Sequence, residues 1–90
     1  MTNQVQTTSK VRVRFFAAAR ERVGVGSIEF SLCSSMSLKK LSEELCDRYP
    51  NLEPLLPYLR WSINMHFISD QNRMIENGDE IALIPPISGG

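Results

Sequence analysis

Leu38, Leu41, Leu45 and Tyr49 recur every three or four residues, whereas the stretches on either side of them alternate every second residue. The first spacing lines one face of a helix, and the second lines one face of a strand. A single amphipathic helix in a chain otherwise patterned as strands has to cover a sheet. Ser37 is a good N-cap for this helix, and Lys39, Lys40, Glu43, Glu44 and Asp47 fall off its apolar stripe. Pro50 stops it, because proline lacks an N–H and restricts the residue before it. The spacing predicts a helix of about twelve residues, its leucines packed on the sheet.

The strands flank that helix. K-V-R-V-R-F-F-A, from Lys10, puts Val11, Val13 and Phe15 on one face and Arg12, Arg14 and Phe16 on the other. Ala18 to Val23 contains good helix formers and meets Gly24, a natural C′ residue, so one or two helical turns are expected there. S-I-E-F-S-L turns Ile28, Phe30 and Leu32 inward, and this strand and the first form an antiparallel pair. Pro54 and Pro57 permit a turn or short helix but no strand interior. Trp61 to Ile68 alternates again and is expected to be one strand, with Trp61, Ile63, Met65 and Phe67 on one face and Ser62, Asn64, His66 and Ile68 on the other. E-N-G-D-E is a turn in which Gly78 is free to take positive φ. I-A-L-I, residues 81 to 84, is apolar on both faces, as a central strand or an exposed interface would be. This order predicts an α+β chain of the β-grasp type: a mixed sheet crossed by one main helix, the last strand beside the first.

Ninety residues make one domain and bury roughly 60–65% of the surface that the unfolded chain exposes, too little for a deep enclosed active site. The expected layout is a flexible tail over 1–9, the domain over 10–86 and an extended tail over 87–90. Ten Lys+Arg balance ten Asp+Glu, so no net field draws the chain to nucleic acid or to an anionic membrane. No apolar run is long enough to span a bilayer. The opening M-T-N-Q-V-Q-T-T-S reads as neither a signal nor a transit peptide, so the cytosol is the expected location. Cys33 and Cys46 stand without companions and are read as small hydrophobes in a reducing compartment, not as ligands of zinc or an iron–sulfur cluster. His66 is the only histidine, so no Ser/His/Asp or Cys/His set can be assembled, and it is expected to face solvent. No metal site and no bound cofactor are expected.

Chemistry is left to the end of the chain. After Ile84 come Pro85 and Pro86, which cannot continue a ladder, then Ile87, Ser88, Gly89 and Gly90. Glycines let a backbone thread a channel too narrow for any side chain. A terminal carboxylate is a poor electrophile until adenylation makes it a mixed anhydride. At a background glycine usage of about 7%, a Gly-Gly pair arises by chance in roughly one chain in two hundred, so the pair alone does not decide the matter.

V-R-F-F-A-A-A-R-E-R-V-G near the start and N-G-D-E-I-A-L-I-P-P-I-S-G-G at the end resemble the small subunits of molybdopterin synthase, the sulfur carriers of molybdenum cofactor synthesis. The resemblance spans Lys10 to Gly90. It implies a ubiquitin-like β-grasp fold with no catalysis of its own. It further implies that an E1-like enzyme uses ATP to adenylate Gly90, which then becomes a thiocarboxylate. The tail, Ile87, Ser88 and Gly89 included, would enter the large subunit, and the sulfur would pass to cyclic pyranopterin monophosphate. A heterotetramer of two small and two large subunits is implied. By position, Phe16, Ile84, Pro85 and Pro86 would dock on the partner, although the family often has phenylalanine where Ile84 stands. Arg20 is read either as a partner contact or as a solvated helix arginine, and Asn64 matches a family asparagine. Three other readings are a ubiquitin-like modifier joined to lysines through Gly90, a thiamine-pathway sulfur carrier, and a binding module with an inert tail.

Overall fold

The computed structural model describes residues 9–32 and 35–85. Cys33 and the segment Pro86, Ile87, Ser88, Gly89 and Gly90 lie outside the described residues, as does nearly all of the expected N-terminal tail. Strand β1 (Ser9–Phe15) leads into helix α1 (Ala17–Val23) and strand β2 (Ser27–Leu32). A two-residue strand β3 (Met36–Ser37) precedes the main helix α2 (Leu38–Arg48) and a 3₁₀ segment (Pro50–Tyr58). Strands β4 (Arg60–Ile63), β5 (His66–Ile68), β6 (Met74–Ile75) and β7 (Glu80–Ile84) complete the fold. Five strands make one sheet in the order β2-β1-β7-β4-β5, while β3 and β6 pair separately. β7 runs parallel to β1 and antiparallel to β4, so the apolar I-A-L-I stretch is central and lies beside the first strand, as expected.

Local chemistry accounts for the element boundaries. The Ser37 hydroxyl accepts the Lys40 N–H at 3.1 Å, which caps α2. Two more of its initial N–H groups, from Leu38 and Lys39, donate to the Arg73 and Gln71 carbonyls at 2.9 Å each. Gly24 sits at φ +96° and donates to the Arg20 carbonyl, so it ends α1 in the left-handed conformation that a Cβ disfavours. The proline-rich stretch is short-helical, and Arg22 ties it to α1 through a 2.9 Å bond to the Asn51 carbonyl.

One face of the sheet carries the core. Val11, Val13, Phe15, Phe30, Leu32, Trp61, Ile63, Ile81 and Leu83 are buried there with Leu38, Leu41 and Leu45 of α2. Leu52 and Leu59 close one end, and the Phe15 ring meets Tyr49 edge-on at 6.1 Å. Ile28 and Tyr49 pack against this core half-buried.

The expected single strand from Trp61 to Ile68 is instead a hairpin. Asn64 and Met65 take φ of +52° and +73°, the left-handed pair of a two-residue type I′ turn, and the chain doubles back. Trp61 then pairs with Ile68, Ser62 with Phe67 and Ile63 with His66. Directly paired residues share a sheet face, so Phe67 lies with Ser62 on the face opposite the core and Ile68 lies with Trp61. The expected placing of Met65 and Phe67 on the face of Trp61 and Ile63 is thereby overturned: Phe67 lies on the opposite face and is 57% exposed, and Met65, in the turn, is 90% exposed. His66 is exposed, as expected, but opposite Ile63 rather than beside Ser62.

Because Leu45 is fully buried under the sheet, Leu45→Ala is expected to cost about 2–5 kcal/mol, read as a lowered urea midpoint with an unchanged slope. A cost below about 1 kcal/mol would mean that α2 does not pack as described.

Candidate functional site

The face of the sheet opposite α2 has small side chains where a second core would need large ones. The register aligns Arg14, Ala82, Ser62 and Phe67 across four strands, with Ile84 and Arg60 paired in the next row. Ala82 and Ser62 form a floor, and Phe16, Met65, Phe67 and Ile84 rise around it to make an open groove of about 280 Å³. Phe16 stays 41% exposed and Ile84 half-buried. Three large apolar side chains left open together mark a surface awaiting a partner.

Charged groups order the rim. The Arg14 guanidinium donates to Glu80 Oε2 at 2.9 Å and lies 5.6 Å from the centre of the Phe16 ring. On the opposite side Arg60 stacks over Phe67 at 4.3 Å. At the hairpin tip the Asn64 side chain accepts the Glu80 N–H at 2.9 Å and donates to Asp79 Oδ1 at 3.0 Å. The Asn64 N–H also donates to the Glu80 carbonyl at 2.8 Å. Asn64 thus fastens the start of β7 to the hairpin that carries Phe67, a structural account of the asparagine singled out by resemblance.

Phe16 and Ile84 line the groove, and Pro85, the next residue in the chain, is half-buried. Arg20 lies elsewhere: it is exposed on α1, its side chain running beside Gly26. Phe67 and Met65 are groove residues that sequence reasoning missed. The signal was Asn64 between S-I and M-H-F, since asparagine tolerates the left-handed region a tight hairpin demands. Among the described residues no cluster of His, Cys, Asp or Glu could hold a metal ion, and no helix is long and apolar enough to cross a membrane.

A separate hollow between α2 and the 3₁₀ segment holds Cys46, half-buried, with Asp47 and Glu53 on its rim. Burial first, and then the charges of Glu53 and Asp47, push its thiol pKa up. That depletes the thiolate, so nothing here activates the thiol.

The model of the ThiS family matches residues 13–90. The chain belongs to the ThiS family. Among its relatives is the molybdopterin synthase sulfur carrier subunit of Anopheles gambiae, 37% identical, the match covering 96% of this chain and all of that one. In solved structures, the fold matches small archaeal modifier protein 1 of Methanosarcina acetivorans with a TM-score of 0.77 at 23% identity, over 93% of this chain and 99% of that one. It also matches a chain in the complex of subunits 1 and 2 of the molybdopterin-converting factor from Helicobacter pylori. There the TM-score is 0.67 at 27% identity, over 90% of this chain and 99% of that one. The fold of this ThiS family member is the ubiquitin-like β-grasp that the sequence pattern predicts.

Two outcomes follow from this geometry. Asn64→Ala loses both side-chain bonds and puts a Cβ without a polar group in the left-handed region, for an expected cost of about 1–3 kcal/mol by denaturant unfolding. Asn64→Gly keeps the turn and isolates the lost bonds; if neither variant is destabilised, the fastening role is wrong. In a Cys33→Ser background, Cys46 should be alkylated more slowly at pH 8 in the native chain than in urea. The stability gained from the raised thiol pKa is complete below the ordinary thiol value and is lost as pH rises through the raised one. Equal alkylation rates would contradict the burial.

Proposed function

We propose that this chain is the sulfur carrier subunit of a molybdopterin synthase, delivering sulfur from the carboxyl end of Gly90 to a reaction catalysed by a larger partner. The observation that carries the reading is the apolar groove beside the end of β7. The strand that leads to Pro85 and the Gly-Gly sequence also supplies Ala82 and Ile84 to a docking face. A partner seated on Phe16, Phe67 and Ile84 would receive the following residues directly. The relatives named as sulfur carrier subunits, and the structural match within a two-subunit converting factor, support that assignment.

The chemistry on this reading is short. An E1-like enzyme transfers AMP from ATP to the Gly90 carboxylate and releases pyrophosphate; a sulfur nucleophile displaces AMP and leaves a thiocarboxylate. Ionised at neutral pH, its soft sulfur is a better nucleophile than oxygen. Ile87, Ser88 and Gly89 thread the large subunit's active site, where the thiocarboxylate sulfur attacks cyclic pyranopterin monophosphate. Water then cleaves the acyl carbon–sulfur bond, returning the Gly90 carboxylate and leaving the sulfur on the pterin, and two such deliveries build the dithiolene. The groups that stabilise this transfer belong to the large subunit, in an assembly of two small and two large chains in the cytosol. Arg20, away from the groove, would meet a partner only at the margin.

The test is mass spectrometry of the C-terminal peptide after incubation with ATP, the activating enzyme and a sulfur donor. The peptide should gain the mass difference between sulfur and oxygen, and deletion of Gly90 should abolish both that gain and molybdopterin formation. Sulfur delivery by the deleted chain would refute the proposal, as would stable lysine-linked conjugates in place of delivery. Phe67→Ala, which removes an exposed ring rather than a core one, is expected to weaken binding to the large subunit by about 2 kcal/mol, roughly 30-fold, at nearly unchanged stability. Unchanged affinity would remove Phe67 from the docking face.

A further inference from the structure

The two arginines on the docking face are not equivalent. Arg14 is neutralised by Glu80, and the only other ion pair among the described residues, Lys40 with Glu44, is on α2. Arg60 therefore has no acidic partner among them. It is exposed and stacked over Phe67. Beyond the Phe67 ring the surface continues into a second hollow lined by Leu59, Arg60, Trp61, Ile68, Ser69 and Gln71, which contains no acidic residue either. Arg60 is also the direct cross-strand neighbour of Ile84, so its charge sits beside the point where the chain leaves the sheet.

A guanidinium fixed against a ring has lost part of its rotamer freedom before binding, and its planar fork still presents N–H donors outward. Stacked on the Phe67 ring, which borders both the apolar groove and the mixed second hollow, it has an aromatic face on one side and so attracts an anion more strongly than an arginine surrounded by water would. One cation, in a chain without net charge, suits a single carboxylate rather than the row of phosphates in a nucleic acid. We propose that Arg60, stacked on Phe67, is a carboxylate-reading corner of the docking face. The partner segment seated in the groove carries an aspartate or glutamate beside its apolar contact residues, and this pairing selects the partner and sets its register. The inference rests on the sulfur-carrier reading, because it takes the large subunit as the occupant.

The test uses the full chain and its large subunit, with affinity and association rate measured at low and high salt. Arg60→Gln should weaken binding roughly tenfold and Arg60→Glu roughly a hundredfold, with slower association and a flatter salt dependence in both. Arg60→Lys keeps the charge but loses the planar fork and should fall between Arg60→Gln and the unaltered chain. An Asp or Glu to Lys or Arg change in the large subunit that restores binding to Arg60→Glu would identify the paired carboxylate. Equal affinity and equal salt slopes for the unaltered chain and Arg60→Glu would overturn the inference while leaving the sulfur-carrier reading intact. Failure of the unaltered chain to bind the large subunit would overturn both. Self-association of the chain that Arg60→Glu abolishes, seen by sedimentation, would replace the partner by a second copy and overturn the inference.

Discussion

Strand β7 is hydrogen-bonded along both edges, to β1 in parallel and to β4 antiparallel, and its Ile81 and Leu83 are completely buried. The other elements take their places from that arrangement. β1 must already lie in the sheet to receive it, α2 must cross between the outer pair and the centre, and the β4–β5 hairpin must close the far side. Asn64 and Asp79 knit the beginning of the strand into its surroundings through side-chain bonds. The end of the strand is thereby held at a defined place, which a carrier that presents its end to another enzyme requires.

The two faces of the sheet are unequal, and function follows the inequality. Leu38, Leu41 and Leu45 of α2 share one core with the large inward side chains of the strands. The central outer positions, Ala82 and Ser62, are too small to form a second core and are buried only by taller neighbours around them. This costs some apolar burial within the single chain and leaves a concave surface for another protein to complete.

Much of this was legible in the sequence because most of its patterns are local. The 3.6-residue stripe located α2 and its serine cap, period-two alternation located β1 and β2, and the uninterrupted apolar run placed β7 at the centre. Resemblance points to Phe16 and Ile84 as docking residues, and both line the groove. The hairpin at Asn64 and Met65 was hidden for a physical reason: a two-residue turn without glycine leaves the alternation unbroken, while reversing which face each later residue occupies. Read as one strand, Trp61 to Ile68 puts Met65 and Phe67 on the face of Trp61, and the Arg60 stack on Phe67 stays hidden. The β3–β6 pair, two residues each, is too short to leave any period, and its pairing depends on contacts distant in sequence.

The parallel pairing of β1 with β7 also has a mechanical meaning. Traction on the chain beyond Ile84, while the body is held back by a partner or by the opposite end of β1, acts along the strand axis. It loads the rungs of two ladders simultaneously in shear and does not peel them one after another. On the sulfur-carrier reading, a pull on the residues that follow Pro85 would therefore be resisted by both ladders together, without unravelling the domain.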